Sequence, residues 1–389
     1  MSSVLPSTLN IPAPETNSCD ILFIAGEHSG DEQASRMLSE ALKLNPQLKA
    51  CAFGGTALKE SGVQLLYDMT GFSVVGFVEV LKNYSFFKKL LECIVNWIKT
   101  YKPKAVCFVD YPGLNLRIAE RLRKEGISVK GGGNVKVLYY ISPQIWAWKS
   151  HRRFGMAKCI DNLGVIFPFE PACYADTDLK VDFVGHPFIS DSYLPHVRYN
   201  ANGKTLLLAG SRYSAVKRIF PIMLKVMERF PNEKCVAFYP SLSIKNLLEQ
   251  ILKNFPSVCG RVELLESSIC EVGVKAAMMS SGTMSLACSL EGIPGLIVYK
   301  ANPLTYILGR LVVGIKYLSI ANIILDRPAW PEFIQFDAIP RILAKRMSYV
   351  YQSQKAREET LADAVELHNV LKAPSNFSAG QWLIKNLTV

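Results

Sequence analysis

The feature that most constrains this chain is a repeated alternation of short apolar runs with longer amphipathic stretches. Runs such as Ile21–Ala25, Ala105–Val109 and Val135–Ile141 have the length and composition of buried strands. A helical spacing of apolar residues follows the first run over about residues 31–44. Strands that alternate with helices in this way form a parallel sheet with helices on both faces, so the sequence predicts an α/β fold.

The alternation comes in two series. The first ends at Val181–Val184, the second begins at Thr205–Ala209, and the stretch around Pro195 to Gly203 is polar and irregular, as linkers are. We predict a flexible tail over residues 1–19, a first domain over 20–200, a second over 201–345 and a helical segment over 346–389 that could pack back on the first domain. Two doubly wound domains facing one another across a cleft are the simplest architecture.

Charge and composition limit the partners. The net charge of +11, from 44 Lys and Arg against 33 Asp and Glu, indicates an anionic partner such as a nucleotide, phospholipid head groups or nucleic acid. Nucleic acid ranks last, because the basic residues are scattered and no nucleic-acid-binding motif is recognisable. The ten cysteines include no CxxC pair, which favours reduced core cysteines in a cytosolic protein. Apolar runs fall short of the roughly 18 residues that span a bilayer, so membrane contact is expected to be peripheral.

The loop Gly26–Asp31 follows the first strand and opens the first helix. Its two glycines let the backbone approach a ligand closely, and the helix start offers free N–H groups. Glu27 and Asp31 would repel a pyrophosphate, so the loop suits sugar hydroxyls better than a dinucleotide. The alternative is that Ser29 or Asp31 caps the helix. For His28, a position without a catalytic role is the simpler interpretation.

Asp110 stands directly after the apolar run Ala105–Val109. A carboxylate at the end of a buried strand is partly desolvated, which raises its basicity and suits it to take a proton from a hydroxyl nucleophile. Asp110 is therefore the first candidate for a general base. The alternative is a turn-forming aspartate before Pro112-Gly113.

Two of the five tryptophans, Trp146 and Trp148, lie in a loop that begins at Ser142-Pro143 after a strand-like run. Pro143 cannot continue a central strand, so the chain must leave the sheet there. Lys149 follows at once, with His151, Arg152 and Arg153 close behind. Aromatic surface and positive charge together favour a ligand-facing loop, although both rings could instead pack in a core.

The stretch 71–91 mixes apolar and aromatic residues with lysines. Phe86 and Phe87 lie beside Lys88 and Lys89, with Lys82 just before them, as in a surface segment that touches anionic lipid. Core packing explains about half of the apolar positions equally well.

Two loops of the second series point to a diphosphate. Gly210-Ser211-Arg212 follows a strand-like run, and Ser281-Gly282-Thr283 opens a helix that runs through Leu290. An arginine fork with helix N-terminal amides is a common way to hold a diphosphate. The second loop could also be no more than a capped helix start.

In their order, these loops and three shorter motifs resemble the lipid-A-disaccharide synthase family. The motifs are Gly26–Asp31, Val109–Asn115, Ser142–Trp148, Pro168-Phe169-Glu170 with Tyr174, Val184-Gly185-His186-Pro187, Gly210-Ser211-Arg212, Ser281-Gly282-Thr283, and Pro331-Glu332 with Gln335. The resemblance implies two Rossmann-like domains of the GT-B type. It also implies a metal-independent, cofactor-free, inverting transfer of 2,3-diacylglucosamine from its UDP derivative to 2,3-diacylglucosamine 1-phosphate, giving a β-1,6-linked disaccharide and UDP.

The resemblance also assigns roles. It implies Asp110 and Glu27 as catalytic residues, Asp110 taking the proton from the acceptor's 6-hydroxyl. The implied nucleotide-side residues, which hold the departing UDP, are Gly210, Ser211, Arg212, Ser281, Gly282, Thr283, Asn322, Glu332 and Gln335. The acceptor or lipid side is expected to contain Ser29, Asp31, Asn115, Trp146, Trp148, Phe86 and Phe87. Expected partners are the two sugar substrates and an anionic membrane surface on the cytoplasmic face of the inner membrane, with no nucleic acid and with a homodimer as an option.

Three positions depart from the family's pattern. Ala209 stands where a proline is usual, and Ala215 and Ala287 stand where glutamates are usual. Glu291 could compensate for the glutamate that is missing at Ala287 only if the helix is displaced. These losses leave open a non-catalytic or altered-donor relative that binds sugar nucleotide or lipid. A sugar-nucleotide 2-epimerase is a third reading, which the tryptophan loop disfavours.

Overall fold

A computed structural model describes residues 9–70, 84–190, 193–267, 271–302, 306, 314 and 316–388. The chain divides into two compact units. Unit 1 contains the described residues up to Pro187 together with those from Ala373 onward, and unit 2 contains those from Phe188 to Lys372. No helix within the described ranges has both the length and the apolar character needed to cross a membrane.

Unit 1 is built on a seven-stranded parallel sheet of order β3-β2-β1-β4-β5-β6-β7. Its strands are β1 (Ile21–Ala25), β2 (Ala50–Gly54), β3 (Gln64–Asp68), β4 (Ala105–Val109), β5 (Lys136–Tyr140), β6 (Asn162–Val165) and β7 (Lys180–Phe183). Its helices are α1 (His28–Leu44), α2 (Thr56–Glu60), α3 (Tyr84–Tyr101), α4 (Pro112–Lys124) and α5 (Arg152–Cys159), with short 3₁₀ turns at Val129–Gly131 and Pro171–Tyr174. β1 and β4 are buried along their whole length, as expected of central strands covered on both faces.

Unit 2 is built on a six-stranded parallel sheet of order β10-β9-β8-β11-β12-β13. Its strands are β8 (Val197–Leu208), β9 (Cys235–Tyr239), β10 (Val262–Glu266), β11 (Val272–Met279), β12 (Gly295–Tyr299) and β13 (Glu332–Ile334). Its helices are α6 (Tyr213–Met227), α7 (Leu242–Leu252), α8 (Pro256–Cys259), α9 (Thr283–Leu290), α10 (Ile320–Leu325), α11 (Pro340–Gln352) and α12 (Gln354–Leu371), with a 3₁₀ turn at Pro187–Ile189 where the two units meet in sequence. The core packs α6, α7 and α11 against the sheet.

A last helix, α13 (Ala379–Leu387), returns to unit 1 and packs against α1. Its Trp382 is fully buried, and the indole Nε1 donates to Asn162 Oδ1 (3.2 Å) and Asp182 Oδ2 (3.1 Å). Gly380 is required for this contact, because a Cβ there would lie 2.4 Å from the Cβ of Glu40. The helix therefore completes the packing of unit 1.

The structure places the domain boundaries differently from the sequence prediction. The polar stretch around Pro195 to Gly203 is largely strand, because β8 begins at Val197 and only its first half is solvent-exposed. The units change at Pro187/Phe188, not at 200/201. Residues 346–372 belong to unit 2 through α11 and α12, so only the part from Ala373 onward lies in unit 1.

Candidate functional site

Each sheet has a switch point, where the strand order reverses between two central strands. These pairs are β1 and β4 in unit 1, and β8 and β11 in unit 2. In open parallel sheets ligands bind outside the carboxyl ends of such strands. Four of the loops discussed in the sequence analysis follow these four strands. They begin at Gly26, Asp110, Gly210 and Ser280.

Asp110 lies on a strained backbone. Both Asp110 and Tyr111 have φ of +47°, in the left-handed region, which costs a non-glycine residue about 1 kcal/mol or more. The Asp110 N–H donates to Tyr140 O (3.0 Å), and its carbonyl accepts from Tyr139 OH (2.6 Å) and Asn115 Nδ2 (2.8 Å). Three hydrogen bonds hold this strained backbone, which carries the half-buried Asp110 side chain.

Asn115 helps to hold this loop. It is fully buried, and its amide nitrogen also lies 3.4 Å from the carbonyls of Ile24 and Val109. Its Oδ1 has no hydrogen-bond partner among the described residues. The ends of β1 and β4 enclose its side chain, and the acceptor contact expected of Asn115 stays a prediction.

Glu27 and Gly26 stand beside Asp110 at the end of the neighbouring strand β1. Glu27 is half-buried at the N-cap of α1, and Ser29 is half-buried in that helix's first turn. A Cβ on Gly26 would lie 2.4 Å from the Tyr111 ring, so glycine is needed for the two loops to approach. The loops after β1 and β4 are thus in contact, which brings both proposed catalytic carboxylates to one sheet edge.

Asp31 has a structural task. Its carboxylate is 3% exposed and accepts from the N–H groups of Gly55 (2.7 Å) and Ala57 (2.9 Å), at the start of α2. Burial raises its pKa, and these N–H donors oppose the rise. Both oxygens are engaged with the start of α2, and the acceptor-side role expected of Asp31 stays a prediction.

The tryptophan loop has an inner and an outer ring. Trp146 is half-buried and meets Phe169 edge to face, with ring centroids 5.6 Å apart. Trp148 is 40% exposed, with Lys149 Nζ 4.5 Å and the Arg152 guanidinium 5.0 Å from its ring. Trp146 therefore anchors the loop, and Trp148 presents aromatic and cationic surface to solvent.

The lysine-rich stretch is only partly described, because residues 71–83, including Lys82, lie outside the described ranges. Phe86 is 6% exposed and belongs to the core of unit 1, and the lipid contact expected of it stays a prediction. Phe87 is half-buried, while Lys88 and Lys89 are exposed on α3.

In unit 2, the loop after β8 is open. Gly210 has φ of +106°, and a Cβ there would lie 3.2 Å from Ser280 Oγ of the loop after β11, so glycine suits both the turn and the close approach. Ser211 and Arg212 are exposed, and Arg212 is the N-cap of α6. A cationic side chain and the N-terminus of a helix thus stand at one strand end.

The loop after β11 leads into α9, with Gly282 at the N-cap. Gly282 and Thr283 are exposed, while the Ser281 hydroxyl donates to Leu318 O (2.9 Å). Ser281 is therefore joined to a distant segment, and Gly282 and Thr283 are the residues of this loop that face solvent.

Asn322 and Glu332 form a brace behind Ser281 by holding the segment that Ser281 contacts. The Glu332 carboxylate accepts from the N–H groups of Leu318 and Ser319 (both 2.8 Å) and from Asn322 Nδ2 (2.8 Å). The Asn322 amide also closes a pair with the Trp330 backbone, accepting at 2.9 Å and donating at 2.7 Å.

Gln335 holds a different segment, accepting from Ala301 N at 3.1 Å. Asn322 and Gln335 are buried and support neighbouring backbone, and the nucleotide contact expected of them stays a prediction. No pattern in the sequence indicated Trp330, whose role depends on backbone contacts with Asn322.

The structure also bears on the departure at Ala287 and on its compensation by Glu291. Ala287 is 2% exposed on the inner face of α9, so a carboxylate there would enter the core instead of facing the N-terminal amides of the helix. Glu291 is the C-cap of the same helix, about 12 Å from its N-terminus at 1.5 Å per residue. Glu291 cannot replace a carboxylate near Gly282.

Comparison with known proteins agrees with this arrangement. The family described as lipid-A-disaccharide synthetase matches residues 21–379. A lipid-A-disaccharide synthase of Nitrosococcus oceani is 32% identical over 352 residues, which cover 87% of this chain and 88% of that protein. Lipid-A-disaccharide synthase 1 of Legionella pneumophila is 29% identical over 372 residues, covering 92% and 94%.

Solved structures agree on the fold. A UDP-GlcNAc 2-epimerase from Neisseria meningitidis, bound to UDP-GlcNAc, has a TM-score of 0.60 at 12% identity and covers 95% of this chain and 99% of its own. The spinosyn rhamnosyltransferase SpnG has a TM-score of 0.56 at 11% identity, covering 95% and 100%. The predicted α/β fold with two parallel sheets is confirmed, and the match over residues 21–379 shows that this chain belongs to the lipid-A-disaccharide synthetase family.

Proposed function

We propose that this glycosyltransferase of lipid A disaccharide synthesis moves 2,3-diacylglucosamine from its UDP derivative to 2,3-diacylglucosamine 1-phosphate, with inversion and release of UDP. The family match supports the reaction, and one structural observation supports the mechanism. That observation is Asp110, a carboxylate fixed by a strained, hydrogen-bonded backbone at the switch point of unit 1. Fixed placement of a base is what proton abstraction in a single displacement requires.

In the proposed step Asp110 accepts the proton of the acceptor's 6-hydroxyl as that oxygen attacks the anomeric carbon of the donor. The bond from this carbon to the diphosphate oxygen breaks, and its electron pair leaves with UDP. Glu27, at the end of β1, would orient the attacking hydroxyl from the adjacent loop. One base and one displacement predict inversion at the anomeric carbon.

Unit 2 is proposed to hold the UDP. Arg212 and the N-terminal N–H groups of α6 and α9 offer positive charge and donors where negative charge develops on the leaving diphosphate. The Neisseria epimerase that shares this fold was solved with UDP-GlcNAc bound, which supports a UDP-sugar donor. Gly282 and Thr283, both exposed, are the proposed contacts at α9.

The decisive experiment is to incubate the purified protein with the UDP-diacylglucosamine and its 1-phosphate acceptor. We expect a disaccharide 1-phosphate by mass spectrometry and a β-1,6 linkage by NMR. Omitting the acceptor should leave the donor intact. Hydrolysis of the donor without an acceptor, or epimerised UDP-sugar as the product, would refute the proposed transfer.

We also propose peripheral attachment to anionic lipid at the cytoplasmic face of the inner membrane, supported by the net charge of +11 and the exposed Lys88 and Lys89. The protein should sediment with anionic liposomes at low salt and be released at high salt, because surface charge is screened by ions. Lys88→Glu with Lys89→Glu should weaken binding more than Lys43→Glu with Lys124→Glu, which makes the same charge change at exposed sites of unit 1. Equal weakening by both pairs would remove α3 from the attachment.

A further inference from the structure

We propose that Glu170 is a positioning residue of the transfer reaction, which acts through the indole of Trp146 to hold the loop Ser142–Trp148 against the acceptor sugar. This inference rests on the proposed function and deepens it by naming what places the acceptor. Glu170 does not itself touch the reacting atoms.

The Glu170 carboxylate joins two loops. It is 1% exposed, and its Oε2 accepts from the N–H groups of Ile166 (3.2 Å) and Phe167 (3.0 Å), just after β6. Its Oε1 accepts from Trp146 Nε1 at 3.4 Å, in the loop after β5. One oxygen thus fixes the side chain to its own loop, and the other reaches across to the indole.

The surroundings of this carboxylate are aromatic. Phe167 and Phe169 stack on each other (5.5 Å, 10°), and Trp146 meets both rings at nearly right angles. His186 packs on Phe167, and burial lowers its pKa to about 3, so the imidazole is neutral. Among the described residues no ion pair to Glu170 is formed, and burial raises the pKa of this carboxyl to about 7.

A buried carboxylate without a cation is a costly way to hold an indole. A backbone carbonyl or a neutral amide could accept the same N–H without the penalty of burying a charge. Costly groups of this kind are concentrated at functional sites. We therefore infer that the role of the Glu170 carboxylate is to position the loop Ser142–Trp148 and not to stabilise the fold.

A second anchor holds the start of the same loop. The hydroxyl of Ser142 lies 2.6 Å from that of Tyr174, which is 1% exposed in the 3₁₀ turn just after Glu170. With both anchors made, Gln144 and Trp148 are the exposed residues between Ser142 and Trp148. The brace therefore fixes a loop whose outward side chains are an amide and an indole.

This loop adjoins the proposed base. It starts two residues after Tyr140, whose carbonyl accepts the N–H of Asp110. An acceptor with its 6-hydroxyl at Asp110 would extend its sugar ring toward the loop after β5, where Trp148 offers a face for stacking and Lys149 and Arg152 offer charge for the 1-phosphate. Displacement of the Trp146 anchor should move that surface relative to the base.

The conservative variant Glu170→Gln separates the two bonds. Glutamine has one accepting oxygen and one donating NH₂. If its oxygen keeps the N–H groups of Ile166 and Phe167, its NH₂ faces the Trp146 N–H, so the bond to the indole is lost while size and local packing are kept.

We expect Glu170→Gln to raise the acceptor KM about tenfold, which is the lower end of the effect expected when one hydrogen bond to a charged group is lost. The donor KM should change less than about twofold, because the donor does not depend on this bond. Trp146→Phe removes the same bond from the other side and should give a similar rise. The double variant should be no worse than either single one, because the two substitutions remove one interaction. The matched control is Asp161→Asn, which alters another partly buried carboxylate of unit 1, at the start of β6, and should leave both KM values unchanged.

The outcomes are distinguishable. A parent enzyme that makes no disaccharide overturns the proposed function, and this inference with it. An active parent in which Glu170→Gln leaves the acceptor KM unchanged, raises both KM values equally, or adds its effect to that of Trp146→Phe overturns only the role of Glu170. If Glu170→Gln fails to fold, Trp146→Phe alone decides, and an unchanged acceptor KM in that variant rejects the proposal.

Discussion

The switch points of the two units are built in opposite ways. In unit 1 the chain leaves β4 through two left-handed non-glycine residues, Asp110 and Tyr111, clamped by a buried amide and a buried phenol. In unit 2 it leaves β8 through Gly210, and the polar residues that follow are exposed. A strained, clamped loop holds one group in one place, whereas an open glycine loop offers donors to a ligand that arrives with its own geometry.

The difference suggests how the two units share the proposed reaction. Proton abstraction depends on a position held to fractions of an ångström, and the clamps on Asp110 suit that demand. Binding a diphosphate depends on several charge-assisted contacts, each of which tolerates small shifts. The braces in unit 2, from Glu332 and Asn322, act one layer behind the exposed loop instead of on it.

The largest expected effect tests the rigid side of this comparison. Asp110→Asn should lower kcat by about 10²–10⁴, the usual loss for a positioned base, because an amide keeps the shape but cannot accept the proton. UDP affinity, measured by calorimetry, should stay within about twofold, which is small on that scale. Asp178→Asn, an exposed carboxylate of unit 1, is the control and should be fully active. Turnover within about threefold of the parent would reject Asp110 as the base.

The next effect concerns the buried acid of unit 1. The folded-state pKa of Glu170, about 7, lies above its ordinary 4.5, so between these values the native state binds more protons than the unfolded state. Stability should therefore fall as pH rises from about 4.5 to 7, by about 3 kcal/mol at most. Glu170→Gln removes this group, so its melting temperature relative to the parent should be higher at pH 8 than at pH 5. A pH-independent difference would show that the carboxyl is not buried as a charge.

The smallest effect tests the adaptable side. Arg212→Ala should weaken UDP binding by about 10- to 100-fold, as loss of hydrogen bonds to a charged group does, while uridine should lose much less because it has no diphosphate. Lys217→Ala, exposed on the same helix, is the matched control. Equal losses for UDP and uridine would place Arg212 away from the diphosphate. A loss of kcat larger than that of Asp110→Asn would break the division of labour between the units.

Strand ends were the predictable part of both the fold and the site. Apolar runs such as Ala105–Val109 locate buried strands, and a polar residue directly after one is visible in sequence. Helix starts were less accurate, because Pro112 looks like a turn residue but stands at the first turn of α4. The first half of β8 has the polar sequence of a linker, because it is mostly exposed and so contains no apolar run that would predict a strand.

The bracing contacts were not predictable. Asp31 caps a helix that begins 25 residues later, and Glu332 binds the backbone of Leu318 and Ser319. Backbone N–H groups are present at nearly every residue, so they leave no trace in the sequence of the segment that provides them. In the sequence, a polar side chain that binds backbone N–H groups cannot be distinguished from one that faces a ligand.

The return of α13 to unit 1 has a consequence for the order in which the protein can be completed on the ribosome. Synthesis proceeds from the amino end at about 5–20 residues per second, so the whole of unit 2 is made between β7 and α13, over roughly ten to forty seconds. During that interval Asn162 and Asp182 lack the indole of Trp382, and the surface that α13 covers is open to water. Unit 2, whose residues form one continuous stretch, can finish folding first, and the unit that contains Asp110 is closed last.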